Sequence, residues 1–320
     1  MLVINIFLYL CAEGAEQKNI NRASFQLVMK LVAFKSGVYH AARKLFGKQA
    51  DIYIYGVDES LGGEAAEAAF REGVRLHKIF NYYDETSELS LLNKKRSILA
   101  SDELLLVLKA ALKMCNLTNG EYDISLGSSA EKRKLGKEKL ADELPAVKCD
   151  YKGIKVKGKV VSLENPAIKI DLGSIAKGFI VDKMIGCLKK SGVKSALINA
   201  RGDIRLFGGA QIIGVQHPRM PGKIIEWLRL KNCAVATSGD YNQYYGSYDT
   251  SHILNSKELA SVTVVAPGLM TADMLATAAF VCKEKERASL LIKSNAKALT
   301  IDKALKKHYY NGMKLLRKTI

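Results

Sequence analysis

Residues 167–184 read AIKIDLGSIAKGFIVDKM. The first arm alternates like a strand that ends at Asp171. From Ala176 the apolar spacing turns helical and continues to Gly192, a natural helix stop. A strand that feeds a helix through a Gly173–Ser174 turn fixes the class as one that mixes both elements.

The flanks extend that pattern. Downstream, SALINARGDIRLFGG (195–209) reads as two strands around a tight turn, and 224–245 is strand-rich. SVTVVAPG (261–268) is a strand and TADMLATAAFVC (271–282) a helix. A helix over 286–294, a strand KALTID and a basic tail follow. Upstream, GIKVKGKVVSLEN alternates like a hairpin turning at KGK, and GEYDISLG (120–127) reads as a turn into a short strand. Helices are expected over 63–83 and 104–118, with a strand over 50–57. Residues 129–147 are charged and read as loop or irregular helix. Apolar residues at helical spacing between basic ones make 18–45 read as helical. Strands and helices mix without strict alternation. The expected fold is therefore α+β, with mixed or antiparallel central sheets and packed helices. Residues 1–45 are expected to form an N-terminal extension, and 46–320 a single domain.

The chain has 320 residues, 48% of them hydrophobic, which is ample material for a core. It carries 49 Lys and Arg against 32 Asp and Glu, a net charge of +17 that favours anionic partners. The basic residues are scattered, and no stacking-plus-basic motif supports a nucleic-acid partner. The six cysteines lie far apart without a CxxC, which argues against a zinc site and for free buried thiols. The opening run MLVINIFLYLC is too short to span a bilayer and lacks the basic start of a secretory signal. Leu10 stands where a lipoprotein cleavage site wants a small residue, so lipid-anchored export is disfavoured. The reading leaves a cytoplasmic place, or membrane association through the N-terminus, open.

Four stretches carry candidate chemistry. In DLGSIAKG, Lys177 and Gly178 open a helix whose free N–H groups suit an anion. Lys177 adds a charge suited to phosphate, and Asp171 can accept from a ribose or ring donor. In TADMLAT, Asp273 and Thr277 are four apart on one helix face. They are either two hard oxygen ligands for Mg²⁺ or a dipole-favoured acid beside a packed threonine. In ATSGDYNQYY and the SHI that follows, Asp240 or His252 can act as a base. Tyr82 and Tyr83 end a helix where an aromatic face can stack on a planar ring, and Asp123 sits beside Tyr122 in a turn.

Taken in order, these stretches resemble the ApbE family of FAD:protein FMN transferases. The resemblance rests on Tyr83 with Ser87, Glu88, Leu89, Leu92 and Asn93, then on Tyr122–Ile124 with Gly127. Asp171–Gly178 with Asp182, Ala236–Tyr241, Ser251–Ile253, Ser261–Ala266 and Asp273–Thr277 complete it. It spans about residues 46–283. It implies an ApbE-like fold and transfer of FMN from FAD to a Thr or Ser hydroxyl of an acceptor flavoprotein, with Mg²⁺ required and AMP released. It places metal ligands on Asp273, Thr277 and an oxygen of Ser174. FAD contacts fall on Phe46, Tyr83, Glu121, Tyr122, Asp123, Asp171, Lys177 and Ile253, and His252 matches a histidine implicated in activity. Two other readings stand beside it: an FAD pyrophosphatase yielding FMN and AMP, and a non-catalytic FAD-binding protein. The chain departs from the pattern at LNSKE after the SHI, and at Ala200 and Arg201, where the family often has glycine.

Overall fold

The computed structural model describes residues 6–9, 37–126, 150–240 and 258–313. In chain order the strands are β1 (Ile6–Tyr9), β2 (Val38–Leu45), β3 (Lys48–Tyr55), β4 (Ser97–Leu99), β5 (Ile154–Lys157), β6 (Val160–Leu163) and β7 (Ser195–Ala200). They continue with β8 (Asp203–Phe207), β9 (Gln211–Gln216), β10 (Ile224–Leu230), β11 (Ala234–Gly239), β12 (Leu259–Ala266), β13 (Lys297–Asp302) and β14 (Lys307–Tyr310). The helices are α1 (Glu59–Phe80), α2 (Glu88–Lys95), α3 (Asp102–Leu117), α4 (Ala176–Lys190), α5 (Leu269–Val281) and α6 (Glu284–Ser294).

Eight strands form the main sheet in the order β14-β13-β12-β11-β8-β7-β3-β2, every neighbour antiparallel. The sheet separates two cores. On one face Ile52, Ile198 and Val262 join Phe70 of α1, Ile180 of α4 and Phe280 of α5. On the other, Leu197, Ile204 and Leu206 meet Ile213 of β9 and Leu228 of β10. This second layer is the sheet β1-β9-β10. Both faces of β12 are covered, and all eight of its residues are buried, as its near-continuous apolar run requires. Full burial of a side chain such as Phe70 or Phe280 contributes about 1.5–3 kcal/mol. The expected α+β class is therefore the observed one.

Three local readings change. Val38–Leu45 is a strand, not the end of a helix: β2 pairs with β3 along its whole length, from Val38↔Tyr55 to Leu45↔Lys48. Its Ala, Arg and Lys residues favour a helix, but the open side of β3 overrides that weak preference. The rest of the expected 18–45 helix up to residue 36 lies outside the described residues. GEYDISLG and AIKID form no ladder. They share one parallel bridge, Leu126↔Lys169, with Asp171 N–H donating to the Ile124 carbonyl at 2.9 Å.

Two hairpin tips project at one end of the main sheet. Phe46–Gly47 joins β2 to β3, and Arg201–Gly202 joins β7 to β8. At both tips the two central residues have positive φ: 57° and 74° in the first, 61° and 100° in the second. That is the two-residue type I′ turn, which normally takes Asn, Asp or Gly first. A large L-residue there costs about 1–2 kcal/mol. Asn199 steadies the second tip, its Oδ1 accepting from Gly202 N–H at 2.9 Å. Because β3 pairs with β7 in the register Ala50↔Ala200, the tips stand side by side.

Candidate active site

Three helices are capped by their own sequence: Asp58 for α1, Ser87 for α2 and Ser101 for α3. Neither α4 nor α5 has such a side-chain cap. Instead Asp182 of α4 reaches across to α5. Its two oxygens accept from Leu269 N–H and Met270 N–H, both at 2.9 Å. Arg205 Nε donates to the same carboxylate at 3.2 Å. The helices cross so closely that a Cβ on Gly178 would lie 2.4 Å from the Leu269 carbonyl oxygen. Gly178 thus permits the crossing and Asp182 fixes its register.

This crossing assembles a charge cluster. Lys177 Nζ, in the second position of α4, donates to Asp273 Oδ2 at 2.9 Å and to Asp203 Oδ2. Asp203 opens β8, where its other oxygen accepts from Thr237 N–H at 3.1 Å. Both acids are nearly buried, with side chains 12% and 9% exposed. Burial first, and the Asp203 charge next, push the Asp273 carboxyl up to about 6 while Lys177 and the Gly178 N–H pull it down. The neighbouring acids hold Lys177 protonated against the opposing cost of its burial. One helical turn beyond Asp273, Thr277 Oγ1 lies 3.0 Å from Ser238 Oγ of β11.

The loop before α4 is held from outside. Asn93, at the end of α2, imitates a strand: its Nδ2 donates to the Ile170 carbonyl at 2.9 Å and its Oδ1 accepts from Ile170 N–H at 2.7 Å. Arg96 adds a donation to the Ile168 carbonyl at 2.7 Å. The rest of that motif anchors α2, with Ser87 as its cap and Leu89 and Leu92 fully buried. Past Ile170, Asp171 Oδ1 accepts from Gly173 N–H at 2.8 Å, and Ser174 Oγ sits 2.8 Å from the hydroxyl of Tyr122. Burial drives the Tyr122 phenol further above its usual range, so it stays protonated.

The remaining expected residues divide. Asp123 accepts from Ser125 N–H at 2.7 Å and Tyr151 N–H at 3.3 Å, so its carboxylate shapes its own loop, with burial raising its pKa. Glu121 N–H closes the turn after α3 on the Thr118 carbonyl at 3.0 Å. Tyr83 is 67% exposed and edge-on to Tyr82. Phe46 forms a hairpin tip and meets His77 edge-on at 5.5 Å. Asp240 is fully buried, and Arg219 grips both of its oxygens at 2.7 and 2.8 Å. A carboxylate so occupied holds the end of β11 and is badly placed to take a proton. His252 and Ile253 lie outside the described residues.

The structure thus brings Lys177, Asp273 and Thr277 together, with Asp171, Ser174 and Tyr122 on the adjoining loop. It adds Asp203 and Arg219, which the sequence reading missed, and gives Asp182 and Asn93 their roles. Asp203 had one available signal, an acid opening an apolar strand directly after a tight turn.

The donor set can be weighed against Mg²⁺. Among the described residues, no group of three His, Cys, Asp or Glu gathers to hold an ion. What gathers is a surplus of negative charge, two carboxylates around one ammonium, with a hydroxyl one turn away. These hard oxygens fit a cation that keeps waters and takes substrate phosphates alongside few protein ligands.

A family model described as the ApbE family matches residues 46–300. The FAD:protein FMN transferase of Vibrio cholerae serotype O1 is 30% identical over 239 residues, 67% of this chain and 71% of that protein. The one from Haemophilus influenzae is 28% identical over 245 residues, again 67% and 71% of the two chains. Among solved structures, the ApbE protein of Thermotoga maritima superposes with a TM-score of 0.76 at 26% identity, covering 85% of this chain and 96% of its own. Flavin transferase ApbE from Vibrio cholerae gives 0.73 at 25% identity, covering 86% and 97%.

Proposed function

The chain belongs to the ApbE family, and from that premise we propose that it moves FMN from FAD onto a threonine or serine hydroxyl of an acceptor flavoprotein, releasing AMP, with Mg²⁺. It is an enzyme, a flavin transferase in kind. The observation that supports the finer reading is the Lys177 cluster, whose excess of carboxylate charge sits at the first turn of α4, directly after the Gly173 turn.

In the proposed step the acceptor oxygen bonds to the phosphorus of the FMN half. The bridging P–O bond breaks, AMP departs with its electron pair, and the acceptor proton goes to a base. Asp273 and Thr277, with an oxygen of Ser174, would hold Mg²⁺, which when bound offsets charge on the diphosphate oxygens. Lys177 keeps Asp273 aimed through their 2.9 Å bond and supplies a cation beside the helix start. Asp171, Tyr83 and Phe46, with the 121–123 segment, would receive the nucleotide. With Asp240 occupied by Arg219, we assign the base to His252.

Purified protein incubated with FAD, Mg²⁺ and a threonine-bearing acceptor is expected to give a fluorescent acceptor band on a denaturing gel, plus AMP. Free FMN without labelled acceptor would establish the pyrophosphatase instead, and bound but unaltered FAD a binding protein. His252→Ala is expected to slow transfer about 10²–10⁴-fold while leaving FAD affinity nearly intact.

A further inference from the structure

We propose that Arg201 is a substrate-binding residue, its guanidinium gripping a phosphate of the dinucleotide; this rests on the flavin-transferase reading above. Arginine occupies the first position of a type I′ turn at φ 61°, where Asn, Asp or Gly would be less strained. Nothing in the turn itself calls for a long cation, since Asn199 and Gly202 already close it. The side chain is anchored toward the neighbouring tip, Nη1 donating to the Phe46 carbonyl at 3.3 Å. That bond uses one of five N–H donors.

The location gives the rest. Two residues on, Asp203 holds Lys177. Lys177 is thus already committed to two acids, and the cluster around it carries more negative than positive charge. A diphosphate arriving there meets net repulsion unless further cations are present. Among the described residues Arg201 pairs with no carboxylate, so its charge is available to the ligand. A guanidinium also offers a planar fork that matches two phosphate oxygens at once, which a lysine does not.

The test compares wild-type protein with Arg201→Gly and Arg201→Lys, titrating FAD and riboflavin by flavin fluorescence at low and physiological salt. Glycine suits the positive φ, so Arg201→Gly is expected to melt at or above the wild-type temperature. Its FAD dissociation constant is expected to rise about tenfold with a weaker salt dependence, riboflavin binding staying unchanged, and Arg201→Lys falling between. Equal FAD affinity in wild type and Arg201→Gly would overturn the proposal, as would parallel losses for FAD and riboflavin. A change confined to the acceptor's KM would also overturn it and assign Arg201 to the acceptor. Wild-type protein that binds no FAD would instead sink the flavin-transferase reading itself.

Discussion

Two buried ion clusters in this molecule are built to opposite rules. Around Lys177 one ammonium serves two carboxylates, Asp203 and Asp273. Around Asp240 one guanidinium meets one carboxylate in a bidentate pair. In the second the two charges match one to one, and removing Arg219 would leave the fully buried Asp240 carboxylate without its bidentate cation. The first carries surplus negative charge in a place shielded from water, an arrangement that a folded chain tolerates poorly without an incoming cation. The contrast teaches that residue type alone does not separate a candidate binding cluster from a matched ion pair, whereas local charge balance offers a criterion.

The contrast can be broken most directly at Asp273. Asp273→Ala is expected to lower Mg²⁺-dependent transfer about a thousandfold, on the order of 4 kcal/mol, while the protein stays folded because Lys177 keeps Asp203. Residual Mg²⁺-stimulated turnover near wild type would erase the distinction. At the balanced cluster, Arg219→Ala is expected to strand the buried Asp240 and cost about 3 kcal/mol of stability, read in a denaturant titration. A stable Arg219→Ala protein would mean that Asp240 is not held as a strut.

The smallest effect is in pH. The Asp273 carboxyl is raised to about 6, so the folded state holds its proton more tightly than the unfolded chain does. Its ionisation therefore subtracts stability as pH rises from the ordinary carboxylate range to about 6. A bound cation reverses that, since it favours the ionised form. Mg²⁺ is expected to raise the melting temperature at pH 7.5 and to lose affinity about tenfold per unit below pH 6. A Mg²⁺ shift as large at pH 5 as at 7.5 would show that the surplus charge plays no part in binding.

Local patterns made much of this legible. The α4 helix, the β5–β6 and β7–β8 hairpins, and the Asp273–Thr277 helix follow from periodicity and turn residues. β2 did not, because its side chains suit a helix and only its pairing with β3 makes it a strand. Lys177 and Asp273 were readable as candidate site residues, and the two meet in the fold. Asp203 was not, since its meaning lies in a lysine 26 positions back, and Arg219 lies 21 positions before the acid it grips. Nor did the sequence show that the Asp123 carboxylate accepts from backbone N–H groups of its own loop and of Tyr151, contacts that shape the 121–123 segment. Contacts between distant segments leave no periodic trace, so a single chain can suggest which groups are reactive without saying which ones meet.

The Asn93 amide has one more consequence. By making with a single side chain the two hydrogen bonds that an adjoining strand would make to Ile170, it spares the chain an additional strand on that side. The peptide leading to Asp171 is thus splinted by one side chain. A two-point clasp of this kind holds the approach to the glycine turn at a fixed distance from α2.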